Sequence, residues 1–237
     1  RKLGLYKPDK TFMCSRSTIE KFSQCPTCFY VEHVIGLKPP PSPGWSLNNA
    51  VDELVKNETD RHRELGTTPE ILEQYGLKLF HHEKLEEWRT MNKGIRFKDE
   101  ERNIDFYGLI DDIFINSLGE LVIMDTKSIS KQKDISESKH LWNNGISYKR
   151  QLEIYAWLFQ KNGFSVSSTG YLLYYNAIKK TDDFNGVMKF KTSLISLELD
   201  TSWIEPCITN MIECLQKPTI PPSNEKCNQC IYWKLMK

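Results

Sequence analysis

Residues 108–127 read GLIDDIFINSLGELVIMDTK. The second half, ELVIMDTK (120–127), is a compact apolar run of strand length ending in charges, the pattern of a strand buried on both faces. Ser117-Leu118-Gly119 ahead of it is turn-like and 104–116 is strand-like, so 104–127 is predicted to form a β-hairpin. Alternation puts Leu121, Ile123, Asp125 and Lys127 on one face. A carboxylate and an ammonium thus project side by side from the end of a central strand, where burying either alone is costly. Pairing across the hairpin can bring Asp111 or Asp112 beside Asp125, and strand parity does not choose between them. Two carboxylates from adjacent strands plus water make a hard, oxygen-rich site suited to Mg²⁺. Such an ion polarises a phosphodiester and activates a water, while the lysine stabilises developing charge. The plainer alternative makes Asp111 and Asp112 strand-end caps and Asp125–Lys127 a surface ion pair. The hairpin alone does not separate the two.

Upstream, SRSTIEKFS (15–23) has Ser17 and Glu20 at capping-box spacing ahead of a short helix. KPPPSPG (38–44) is a loop, because consecutive prolines continue neither a helix nor a central strand. Residues 46–65 read as a long helix with Ala50, Val51, Leu54 and Val55 as its apolar stripe and its charges as a solvated face. Further helices are predicted over 70–75 and 79–91, the latter with Phe80, Leu85 and Trp88 inward, and a strand over 95–98. Beyond the hairpin lies a polar, lysine-rich segment (128–147), then an amphipathic helix over 148–162 carrying Leu152, Tyr155, Ala156 and Phe159 on one face and ended by Gly163. Strands at 169–176 and 186–199 and a helix over 202–216 complete a mixed α/β pattern with a central sheet.

A chain of 237 residues fits one domain with ample core. No apolar run approaches the roughly 18 residues needed to span a membrane, and no signal-peptide pattern opens the chain. Seven cysteines, an odd number, argue against a secreted disulfide framework and for a reducing, cytoplasmic setting. The net charge of +1 means that any nucleic-acid surface is a local patch rather than a global one. Lys127, Lys131, Lys133, Lys139, Lys149 and Arg150 form such a patch, where a DNA backbone would pass, and Trp142 and Tyr148 could stack on bases. No base-reading motif accompanies them. The alternative for each lysine singly is a solvated loop.

GLID (108–111), IMDTK (123–127) and QLEIY (151–155), in that order, resemble the motifs of RecB-like PD-(D/E)XK nucleases. SRSTIEKFSQCPTCFYVEHVIGL near the start and CNQCIYW at the end resemble the same family, so the likeness covers nearly the whole chain. It implies a single nuclease domain over 1–237 with a restriction-endonuclease-like core, a central mixed sheet flanked by helices, and a cysteine staple formed by 14–37 and 218–237. It implies Asp111 and Asp125 as ligands of Mg²⁺ or Mn²⁺, with Thr126 lending its carbonyl, Lys127 as the catalytic lysine, and Gln151 and Tyr155 lining the site and touching the DNA strand. Many RecB-like nucleases carry a histidine ligand on the first long helix; the matching position here is Asp52, which can bind Mg²⁺ as well. The activity implied is a DNA exonuclease on single strands or free ends, in repair, recombination or a CRISPR-associated setting. With no G-x-x-x-x-G-K-[ST] motif, unwinding would fall to a partner helicase. A catalytically silent DNA-binding or scaffold module of the same fold is the rival.

Cys25-Pro-Thr-Cys28 and Cys227-Asn-Gln-Cys230 supply four thiolates, which suit tetrahedral Zn²⁺ or a 4Fe–4S cluster if the pairs meet. Several RecB-like nucleases staple their termini through an iron–sulfur cluster using one N-terminal and three C-terminal cysteines. The two-plus-two arrangement here departs from that pattern. Cys14, Cys207 and Cys214 read as small apolar residues.

Overall fold

The computed structural model of the chain describes residues 6–39, 44, 46–132, 135 and 145–235. Lys133, Lys139 and Trp142 lie outside the described residues. In chain order the elements begin with β1 (Phe12–Ser15), α1 (Arg16–Gln24), α2 (Pro26–Tyr30) and a π-helical turn (Val31–Ile35). There follow α3 (Ser46–Leu65), α4 (Glu70–Glu73), β2 (Lys78–Leu79), α5 (Leu85–Arg89), β3 (Ile95–Asp99) and β4 (Ile104–Gly108). The remainder is β5 (Asp112–Ile115), β6 (Leu121–Ile129), α6 (Ile146–Lys161), β7 (Thr169–Ala177), β8 (Phe190–Glu198), α7 (Ile204–Gln216) and α8 (Asn228–Leu235).

These elements form two compact units, one drawn from Arg1–Ser42, Arg96–Gly108 and Thr201–Lys237, the other from Pro43–Ile95 and Leu109–Asp200. The first holds a three-stranded sheet, β1-β4-β3, with β1 parallel to β4. Ser15 caps α1, its hydroxyl accepting from the Thr18 amide at 3.2 Å. The cap thus falls two residues earlier than the Ser17/Glu20 spacing predicts. Ser17 lies inside the helix and Glu20 is buried. His33, unremarkable in sequence, is buried between Phe12 and Phe29, and desolvation drives its pKa down to about 4, so it packs as a neutral ring.

The second unit holds a five-stranded mixed sheet in the order β2-β5-β6-β7-β8. β5 and β6 form an antiparallel hairpin. β6 then runs parallel to β7, the two joined in sequence through α6, and β7 turns back antiparallel onto β8. The predicted hairpin is therefore real but shorter than 104–127. Residues 104–108 belong to the other sheet as β4, and the break at 109–111 is where Asp111 Oδ2 accepts the Thr126 amide at 2.8 Å in place of a backbone partner. The predicted 79–91 helix is likewise reduced to α5, with Leu79 taken into the short strand β2.

On one face of this sheet Val51 and Val55 of α3 pack with Phe114, Val122, Met124, Leu173 and Leu194. The α3 stripe is narrower than expected: Val51, Val55 and Thr59 are buried at i, i+4, i+8, while Leu54 is 67% exposed. Alternation along β6 sends Leu121, Ile123, Asp125 and Lys127 to the other face, where α6 lies with residues 151–159 all buried. The described residues contain no helix long and apolar enough to cross a membrane.

Candidate metal and phosphodiester site

The site grows out of the β5–β6 register. The register ends with Asp112 opposite Met124, and Asp111, in the break just before it, is tied to β6 through its Oδ2, which accepts the Thr126 amide. The two adjacent aspartates accordingly separate. Asp111 lies with the carboxylates of Asp125 and Asp52, whereas Asp112 is ion-paired with the half-buried Arg63. That pair belongs to a network in which Asp60 accepts from Arg63 at 2.7 Å and from Arg89 at 2.8 Å. Burial works against the Asp60 carboxylate, but the two arginines outweigh it and hold its pKa below the ordinary range. Asp60, read from sequence as plain surface, is a tether between α3 and α5.

Asp125 is 2% exposed. Its Oδ1 accepts a 2.6 Å hydrogen bond from Gln151 Nε2, which also reaches Tyr155 Oη at 3.2 Å. Its Oδ2 is ion-paired with the Lys127 ammonium. A buried carboxylate is costly unless it is paired, and this ammonium balances its charge. Asp111 and Asp52 bring two further carboxylates to bear on it, hard oxygens of the type divalent ions take. From α3, Asp52 sits over the same site, and Lys56 one turn on makes an ion pair of 2.7 Å with it. The Lys56 ammonium is also 3.9 Å from Asp111 Oδ1.

The electrostatics are those of a site short of positive charge. Burial, then repulsion from Asp125 and Asp52, pushes the Asp111 pKa up to about 7, against the opposing pull of Lys127 and the Thr126 amide. Burial disfavours the Lys127 ammonium, but the charge and hydrogen bond of Asp125 outweigh it, with help from Asp111, and its pKa lies above the ordinary value. The same ammonium is 5.2 Å from the centroid of the Tyr148 ring.

The raised Asp111 pKa has a signed consequence. A carboxyl whose folded-state pKa exceeds its unfolded value gives stability that is present at low pH and lost as pH rises through about 7. Divalent-ion binding needs the ionised form, so Mn²⁺ affinity is expected to rise by up to about tenfold per pH unit below that pKa and to level off above it. Titrations of Mn²⁺ across this range check the expectation; a flat profile contradicts it.

Gln151 and Tyr155 are buried, at 9% and 4% exposure, and what Gln151 holds is Asp125. Of the expected DNA-contacting residues, Lys149 is 3.5 Å from the buried Glu153, and the exposed Lys131 has its backbone tied to Asn176. Arg150 lies in the second turn of α6, half-buried.

In the other unit the four cysteines of the two Cys-x-x-Cys pairs come together. Cys25 and Cys230 sulfurs are 3.5 Å apart, Cys28 and Cys227 3.5 Å, Cys28 and Cys230 3.8 Å, and all four lie within 4.8 Å of one another. These separations exceed a disulfide bond of about 2.05 Å, and all four are free thiols. Cys25 caps α2, its sulfur accepting from the Cys28 amide at 3.5 Å. Burial pushes the Cys25 and Cys28 thiols up. Burial also opposes ionisation of Cys227, but hydrogen bonds led by the Cys230 amide overcome it and bring its pKa down to about 7. The C-terminal segment is fixed beside the knuckles by Thr27 Oγ1 donating to Pro222 O at 2.6 Å and Tyr30 Oη donating to Lys217 O at 2.8 Å. Cys14 and Cys214 are buried, in keeping with their reading as small apolar side chains.

Residues 38–235 match the family model of the PD-(D/E)XK nuclease superfamily, and the chain belongs to that superfamily. The membership implies nucleic-acid binding and suggests a nuclease-like function. A solved structure titled "Crystal structure of SSO0001" is similar at 18% identity, covering 97% of this chain and 87% of its own, with a TM-score of 0.37. No curated protein matches the chain in sequence.

Sequence reasoning missed Lys56 and the Arg63–Asp112 pair. The signal for Lys56 was present: it lies four residues after Asp52, hence on the same face of α3.

Proposed function

We propose that the protein is a RecB-like, Mg²⁺- or Mn²⁺-dependent deoxyribonuclease that hydrolyses single-stranded DNA or DNA ends, with the chain of 1–237 serving as one nuclease module. The observation that carries this reading is the buried Asp125 carboxylate at the end of β6, ion-paired with Lys127 and held by Gln151, with the charges of Asp111 and Asp52 beside it. Asp111, Asp125 and Asp52 would hold the divalent ion, with the Thr126 carbonyl as a further oxygen. Bound there, the ion supplies the charge that polarises the phosphodiester and activates water. Lys127 sits two residues beyond Asp125 on the same face of β6, placed to steady the charge gathering on the phosphate and its leaving group. Gln151 acts through Asp125, fixing the orientation of its carboxylate, and Tyr155 orients Gln151 in turn. Lys131, Lys149 and Arg150 supply phosphate contacts along the approach.

A preference for unpaired strands is favoured by a cleft of about 630 Å³ just past Lys127, lined by Val51, Ile129, Ile178, Phe184, Met188 and Phe190. Bases freed from a duplex can rest on such apolar and aromatic side chains, whereas paired bases cannot reach them.

The four thiols are assigned to one structural zinc ion. A tetrahedral ion with metal–sulfur bonds of about 2.3 Å spaces its sulfurs about 3.8 Å apart, close to the separations here. A cluster binding each thiolate to a separate iron spreads them further.

The test is digestion of single- and double-stranded DNA, labelled at either end, with Mg²⁺, Mn²⁺ or chelator. Metal-dependent loss of single strands from an end, in steps, is the expected result. Strand binding with every substrate intact in each metal would instead identify a silent DNA-binding module.

A further inference from the structure

The site contains a second ammonium that the nuclease reading does not use. Lys56 Nζ lies 2.7 Å from Asp52 Oδ2 and 3.9 Å from Asp111 Oδ1. With Lys127 on Asp125, the structure pairs two lysines with three carboxylates. These are the oxygens that a divalent ion needs, and an oxygen engaged by an ammonium is a poorer ligand. Lys56 sits on a four-carbon stem one helical turn from Asp52 and is one-quarter exposed, so its head can leave the carboxylates without any backbone change. The nearest anion it could then meet is the phosphate of a strand laid across the site.

We infer that Lys56 is a displaceable internal counter-cation: it holds Asp52 and Asp111 in register while the site is empty of metal and is handed to a substrate phosphate when the ion takes those oxygens. The inference rests on the metal-dependent nuclease reading and adds a residue that couples metal binding to strand binding.

Two binding measurements on the full chain test this without relying on turnover. The first titrates Mn²⁺ and follows the free ion by electron paramagnetic resonance, for the wild type, Lys56→Met, Lys56→Gln and Asp125→Asn. The second measures binding of a fluorescein-labelled oligothymidine in Ca²⁺. Removing the ammonium is expected to tighten Mn²⁺ binding by about three- to tenfold, the scale of a partly screened ion pair, and to weaken oligothymidine binding several-fold. Two variants of different polarity, each checked by thermal melting, guard against a folding defect in one. Unchanged or weaker Mn²⁺ binding in both Lys56 variants, or undiminished oligothymidine binding, overturns the inference. If the wild type binds no Mn²⁺ that Asp125→Asn removes, the nuclease reading itself fails and takes this role of Lys56 with it.

Discussion

Replacing Asp125 by asparagine is expected to lower metal-dependent cleavage by about 10³-fold or more, the scale of losing a preorganised charge at a reacting phosphate, while the protein stays folded. Asparagine has the same shape and keeps an oxygen to accept from Gln151, so α6 need not move. What disappears is the charge, and with it the oxygen that is ion-paired with Lys127. Lys127 then loses the partner that holds its pKa up against burial. Its side chain is about one-fifth exposed and can turn to water, so the folding cost is expected to be about 3 kcal/mol, the low end for breaking a buried charge pair. Melting curves, Mn²⁺ titration and cleavage rates separate these effects. Retained activity in the variant would remove Asp125 from the chemistry.

The cysteine cluster gives the second large effect. Cys28 and Cys227 are 199 residues apart in sequence, and a metal joining them closes nearly the whole chain into a loop. The chain-entropy estimate for such a closure is roughly 5 kcal/mol of stabilisation. In a protein of this length 1 kcal/mol corresponds to about 2–4 °C of melting temperature, so Cys230→Ser is expected to lower it by about 10–20 °C. Cys230 is the informative position because it is buried and within 3.8 Å of both N-terminal cysteines. The purified wild type should carry one zinc per chain and lack the brown colour of an iron–sulfur cluster; the variant should carry almost none. Iron in place of zinc would contradict the assignment of the ion, and an unchanged melting point would contradict the staple.

Much of this was legible in the sequence, and for local reasons. ELVIMDTK announces a buried strand with charges at one end, and QLEIY places Gln151 and Tyr155 on one helical face because four residues make about one turn. What escaped depends on contacts that span distant parts of the chain. Leu109 and Ile110 continue the apolar run of 104–116, so nothing in their chemistry marks the break that assigns 104–108 to a different sheet. The choice between Asp111 and Asp112 needs Arg63, 49 residues from Asp112 and unremarkable on a charged helix. Leu54 looks like core by composition yet points outward, while Lys56 looks like solvated surface yet sits over the carboxylates. Helical phase is fixed by what the helix packs against, and a narrow stripe on a charged helix leaves that phase open.

The central claim is that Asp125 and Lys127 together cut DNA with a divalent ion. Its most direct test is the cleavage rate of end-labelled single-stranded DNA in Mg²⁺ and in Mn²⁺, measured for the wild type beside Lys127→Ala. Cleavage that requires the metal and falls by about 10²-fold or more in the variant is the predicted result. Equal cleavage by the two proteins, or none by the wild type in either metal, would contradict it.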